Sequence, residues 1–138
     1  MSTRFHTLPI DEIRDETPDA YSVYFQKPDA DEFDYKPGQY LTMKVNYQGD
    51  ILRRAFSLSS SPCSDDRLSV TIKRVEGGRA SNYVRDFLKA GDELEVLPLM
   101  WNFYVDTDPT HSHHYILIGA GSGITPLMSI LKTVLEQE

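Results

Sequence analysis

Cysteine is nearly absent: Cys63 stands alone in 138 residues. One thiol cannot form an internal disulfide, and it cannot hold an iron–sulfur cluster, which needs several thiolates. A reducing, cytoplasmic setting is therefore the expectation. No apolar run approaches the roughly 20 residues that cross a bilayer, and the opening MSTRFHTLP lacks the apolar stretch of a secretory signal. Cations are the minority, 14 Lys and Arg against 21 Asp and Glu, for a net charge of −7 without a basic stripe. Nucleic acid and anionic membrane are thus poor partners, because both need clustered cations. There is no repeat at solenoid spacing and no low-complexity run. What remains, 40% hydrophobic and 25% charged, is the composition of one globular domain, or of one domain and part of another.

Up to about residue 100, short runs rich in Val, Ile, Thr, Tyr and Phe alternate with turn formers. AYSVYFQ (20–26), QYLTMKV (39–45), ILRRAFSLS (51–59), RLSVTIKRV (67–75) and ELEVLPL (93–99) are the predicted strands, with a hairpin at NYQGD. Such spacing predicts an antiparallel sandwich or barrel. One helix interrupts it: in GGRASNYVRDFLKAG the apolar Tyr83, Val84, Phe87 and Leu88 fall at helical spacing, with Ser81 as cap and Gly91 as stop. After TDPTHSHH the pattern changes. YILIGAGSGITPLMSILKTVLEQE reads as a buried-type strand, a glycine turn and an amphipathic helix, the opening of an α/β domain. One strand and one helix cannot bury themselves. The expectation is therefore a unit cut short, leaning on the barrel or forming a homodimer through its exposed apolar surface.

Three stretches carry chemistry. In RAFSLSS, alternation puts Arg54, Phe56 and Leu58 on one face of a strand and Ser57 and Ser59 on the other. A guanidinium suits phosphate oxygens, an aromatic suits a flat ring, and a hydroxyl can donate to a ring nitrogen; equally, Phe56 can be core and Arg54 rim. GGRAS places amides and the Ser81 hydroxyl at a helix start, a ready anion site, or an ordinary turn and cap. GAGSGITP lacks the Gly-Lys-Ser/Thr of a P-loop and carries Ile124 where G-x-G-x-x-G ends, but its glycines would admit a pyrophosphate, and Pro126 fits a first helical turn. His111, His113 and His114 lie in a connection without a carboxylate or cysteine at ligand spacing, so no metal site is expected. Met100 and Trp101 read as packing residues. The acidic groups at 11–16 and 29–34 read as solvated charge, and no Ser-His-Asp spacing is present.

In this order, PGQY, RAFSLSS, TIK, GGRAS and GAGSGITP resemble the ferredoxin–NADP⁺ reductase superfamily, in particular the reductase subunits of bacterial aromatic-degradation pathways of the phenylacetate type. The likeness runs from about Arg4 to Glu138. It implies a mainly β fold: an antiparallel Greek-key FAD-binding barrel with one helix over 1–108, and the first βα unit of an NAD(P)-binding domain over 109–138. Carried over residue by residue, Arg54 would hold the FAD pyrophosphate within the Arg54-Ala55-Phe56-Ser57 motif, and Ser57 would act as the catalytic hydroxyl near flavin N5. Phe56 replaces the usual Tyr, keeping the stacking but losing a phenol. Ser60 falls at the motif's final serine. Gly78, Arg79, Ala80 and Ser81 would close on the phosphates. Ile72 and Lys73 match the I/V-K strand, and Gly119, Gly121, Gly123, Thr125 and Pro126 match the nicotinamide-domain turn. Trp101 stands where the family has glycine.

The function implied is hydride transfer from NAD(P)H to FAD, then single electrons to an iron–sulfur or other metal acceptor, supporting an aromatic-compound oxygenase. FAD is the implied cofactor. NAD(P)H, and a 2Fe-2S cluster outside this chain, belong to a longer parent. The implied partner is an electron-acceptor protein or domain, ferredoxin-like or an oxygenase component. A flavin- or nucleotide-binding module without turnover is the alternative, and a barrel that has lost its ligand is a third.

Overall fold

The computed structural model describes residues 4–100 and 103–138. Six strands form one antiparallel sheet: β1 (His6–Thr17), β2 (Ala20–Gln26), β3 (Tyr40–Tyr47), β4 (Asp50–Ser57), β5 (Arg67–Lys73) and β6 (Glu93–Met100), in the order β4-β3-β6-β1-β2-β5. The sheet curls until its two edges meet at one end, where Leu58, just past β4, bridges Val70 of β5 and the Ser59 N–H bonds the Ser69 carbonyl at 2.8 Å. Helix α1 (Arg79–Phe87) leaves β5, and α2 (Ile124–Gln137) follows the last turn. No helix among the described residues is long and apolar enough to cross a membrane.

Alternation explains the core. Leu68, Val70 and Ile72 of β5 meet Tyr21, Val23 and Phe25 of β2 in register, and Leu41, Met43 and Val45 of β3 join them, all at 1% exposure or less. Burying a side chain of this size is worth roughly 1.5–3 kcal/mol, so this double row dominates the fold. The β3–β4 hairpin turns at Gln48 and Gly49, both at positive φ (52° and 91°), the turn whose twist matches the strands.

The predicted strands recur within a few residues of their expected bounds, but β1 has no counterpart among them. Its first half pairs with β6 and its second with β2, with a register shift after Ile10. Only Leu8 and Ile10 of β1 are buried, so the acidic remainder carries little alternation. Ser81 lies inside α1, whose cap is Gly78, and so is not the N-cap. The expected strand over 115–119 is not formed: those residues take no regular structure, and Ile116 and Ile118 are 84% and 88% exposed. A strand needs a neighbour for its backbone groups, and none lies beside this one among the described residues. α2 itself forms as expected. Trp101 lies outside the described residues.

Candidate functional site

Between β4 and the turn from β5 into α1 the wall of the barrel opens. Leu52, Arg54 and Phe56 of β4 alternate onto one face with Leu58 just past it, yet only Leu52 and Leu58 are buried. Arg54 is exposed, and Phe56 is half-buried against the core. The cleft beside them, of about 280 Å³, is lined by Arg54, Phe56, Lys73, Val75, Gly78, Arg79, Ala80 and Ser81. Seven of these eight are expected site residues, brought together from three separate stretches. Three are cations and none is an acid, in a chain of net charge −7. Arg54 Nη1 bonds the Arg53 carbonyl at 2.8 Å. Arg79 reaches Asp50 at 3.2 Å and Lys73 lies 3.9 Å from Asp19, each pair exposed and weakly held.

α1 begins at the floor of this cleft with no side chain capping its amides. The positive end of a helix and those free donors favour an anion there. The turn that presents them is rigid. Asn82 Nδ2 bonds the carbonyls of Val75 (2.9 Å) and Gly78 (2.6 Å), while its Oδ1 accepts from Arg74 Nε at 3.0 Å. From beneath, the Tyr21 hydroxyl donates to the Ser81 carbonyl at 2.6 Å. Burial raises the pKa of that phenol, so it stays a donor. A Cβ at Gly78 would fall 2.6 Å from Ser81 Oγ and 2.9 Å from the Val75 carbonyl oxygen, so the turn closes only over glycine. Sequence reasoning missed Asn82, Arg74 and Tyr21; Asn82 directly follows GGRAS, the one local signal for it.

The other expected residues fall elsewhere. Ser57 ends β4, partly exposed, one residue past Phe56. Ser60 is buried, its hydroxyl accepting from Tyr35 (2.8 Å) and the Ser69 N–H (3.1 Å), so its side chain holds the segment after β4 instead of lining the cleft. Ile72 is core at 1% exposure, leaving only its backbone for a ligand. Gly119, Gly121 and Gly123 form a separate turn, and Thr125 and Pro126 follow it in the first turn of α2. Thr125 is spent on the Ser122 carbonyl at 2.9 Å, and Gly119 packs so closely on Leu127 that a Cβ would clash at 2.6 Å. A Cβ at Gly121 or Gly123 would meet nothing within 4 Å, so open space lies over this turn. It connects to the cleft's strand through α2, where Ser129 donates to the Ser60 carbonyl and Thr133 pairs with Ser61 at 2.9 Å.

A larger hollow of about 620 Å³ between β2, β5 and α2 contains none of the expected site residues. Its Arg67 and Lys132 are already paired with Asp11, Glu12 and Asp65. The smaller cleft, with its weakly held cations and helix end, is the better anion site. Its residues fit FAD: an arginine fork and free amides for a pyrophosphate, and a ring beside them.

The family described as "Oxidoreductase FAD-binding domain" matches residues 7–100. The chain is 42% identical over 133 residues to the ferredoxin reductase component of 3-ketosteroid-9-alpha-monooxygenase from Rhodococcus rhodochrous, across 94% of this chain and 37% of that one. It is 36% identical over 138 residues to a component of the 1,2-phenylacetyl-CoA epoxidase from Escherichia coli, across 99% and 38%. The FAD/NAD-binding domain of nitric oxide dioxygenase from Vibrio cholerae superposes with a TM-score of 0.79 at 28% identity, over 95% of this chain and 57% of that one. The chain thus spans a little over a third of the length of the two curated relatives.

Proposed function

The chain belongs to the oxidoreductase FAD-binding domain family, and on that premise we propose that it is the flavin-holding part of an NAD(P)H-dependent reductase serving an oxygenase. The observation that carries this reading is the cleft in which Arg54 and Lys73 lie beside Phe56 and the uncapped start of α1, whose first residue is the cation Arg79. Bound FAD supplies the exchange between a two-electron hydride donor and a one-electron acceptor. The chain's own residues hold it. Arg54 offers forked donors to a phosphate oxygen, the first-turn amides of Arg79, Ala80 and Ser81 add theirs, and Phe56 gives a flat apolar face. Ser57, next to Phe56 at the end of β4, would offer the hydroxyl near the reacting ring nitrogen, the role that the family's motif implies.

We assign the flavin domain to 1–108 and the start of a nucleotide domain to 109–138. In this reading the GAGSGITP turn receives NAD(P)H in a longer parent, and the exposed stripe of Ile124, Met128, Leu131 and Leu135 on α2 is covered by further nucleotide-domain sequence or by a second copy. The acceptor is a ferredoxin-like or oxygenase component carrying a metal centre, by analogy with the two named relatives, and the setting is cytoplasmic. The unformed strand at 115–119 favours, for this chain by itself, the second reading of a flavin-binding module without turnover. Titration with FAD followed by anaerobic NADH or NADPH separates them. Saturable FAD binding supports both readings, bleaching of the bound flavin at a catalytic rate supports the reductase alone, and no binding refutes both.

A further inference from the structure

Three side chains from two remote stretches of the sequence converge where the segment after β6 meets the end of α2. Thr110 anchors this segment locally, its N–H and hydroxyl bonding the Asp108 carboxylate at 2.8 and 2.7 Å. His111 and His113 follow, with rings stacked at 4.5 Å between centroids and 28° between planes. Against them lies Glu138, 27 residues on from His111, with Oε1 3.1 Å from His111 Nδ1. One ligand atom from each of the three lies within 4.8 Å of the others. Local spacing points to no carboxylate here, because the two lengths of chain are brought together only by the docking of α2.

The Glu138 carboxylate is held in an unusual way. Glu138 is an exposed residue whose side chain folds back, 6% exposed, against His111, and among the described residues its ion pairs include no lysine or arginine. The Tyr115 hydroxyl, 2.9 and 2.8 Å from its two oxygens, and the Asp108 N–H at 3.3 Å fix its orientation. Tyr115 also approaches His113 Nδ1 at 3.5 Å. Two imidazoles and a carboxylate, oriented by an outer hydroxyl, are a donor set for a borderline divalent ion.

We propose that His111, His113 and Glu138 bind a divalent metal ion of the zinc class, fastening the segment after β6 to the end of α2. Bonds of about 2.0–2.2 Å in a tetrahedral site put ligand atoms roughly 3.3 Å apart, so rotations of the three side chains close the observed spread. Water fills the fourth position. The site is structural, and it is independent of the flavin cleft and of the reductase reading.

The test is calorimetric titration of the untagged chain with Zn²⁺, beside His111→Ala, His113→Ala, Glu138→Gln and the double variant H111A/H113A, each checked for fold by circular dichroism. The expected result is one ion per chain, weakened tenfold or more by each single change and abolished in the double variant, with zinc raising the melting temperature most in the wild type and not at all in the double variant. Absence of saturable binding in the wild type overturns the site. So does binding of equal affinity in the double variant, which places the ion at Cys63, His6 or His114.

Discussion

Replacing Arg54 with alanine removes the only guanidinium that β4 presents to the cleft while leaving the barrel intact, because the side chain is exposed and, among the described residues, bonds just the neighbouring Arg53 carbonyl. Its contribution to holding a pyrophosphate is that of a charge-assisted hydrogen bond, roughly 1.5–3 kcal/mol. Exposure favours the lower end of that range, since solvent screens the pair. At about 1.4 kcal/mol per factor of ten, Arg54→Ala should weaken FAD about tenfold. Arg54→Lys, keeping the charge but not the fork, should fall between. Flavin fluorescence titrations at low and high salt give both numbers, and the gap between wild type and Arg54→Ala should narrow as salt rises. Thermal unfolding without FAD should be unchanged, separating a lost contact from a damaged fold. An Arg54→Ala chain that binds FAD within twofold of the wild type, with its melting temperature intact, refutes the assignment of this cleft to the phosphates.

The support beneath α1 makes two further predictions. Tyr21→Phe keeps the buried ring but loses the 2.6 Å bond to the Ser81 carbonyl, so it should cost about 1–2 kcal/mol and lower the melting temperature by roughly 2–6 °C; an unchanged melt would remove Tyr21 from the support of the site. Gly78→Ala drives a methyl against Ser81 Oγ and the Val75 carbonyl, which should cost roughly 1–3 kcal/mol as the turn shifts and weaken FAD more than Arg54→Ala does. Equal FAD affinity in Gly78→Ala would show that the turn is not part of the binding surface.

The barrel was legible wherever a strand has one dry face. AYSVYFQ and RLSVTIK alternate cleanly because Tyr21, Val23 and Phe25 meet Leu68, Val70 and Ile72 across the ladder, and the observed β2 and β5 cover those very residues. β1 was not legible because its second half points charge outward: Asp11 and Glu12 pair with Arg67, and Asp15 with Arg85. Those acids are fixed in ion pairs to β5 and to α1, a role that local pattern does not reveal. YILIG failed in the opposite sense. Its composition suits a buried strand, but strand formation depends on neighbours that sequence spacing does not supply.

At the site, the residues that share the cleft were legible as RAF, TIK and GGRAS, since motif and position coincide. Ser60 and Ile72 carry the motif but sit inside the barrel. The supporting Tyr21 and Arg74, and Glu138 beside the histidines, were invisible because each acts on a residue that local pattern does not link to it.

The most direct test of the central claim is a visible absorption spectrum of the purified chain after incubation with FAD and gel filtration. The expected result is a flavin spectrum that elutes with the protein at close to one FAD per chain. A colourless protein peak, with all flavin in the small-molecule fraction at every protein concentration tried, would contradict it.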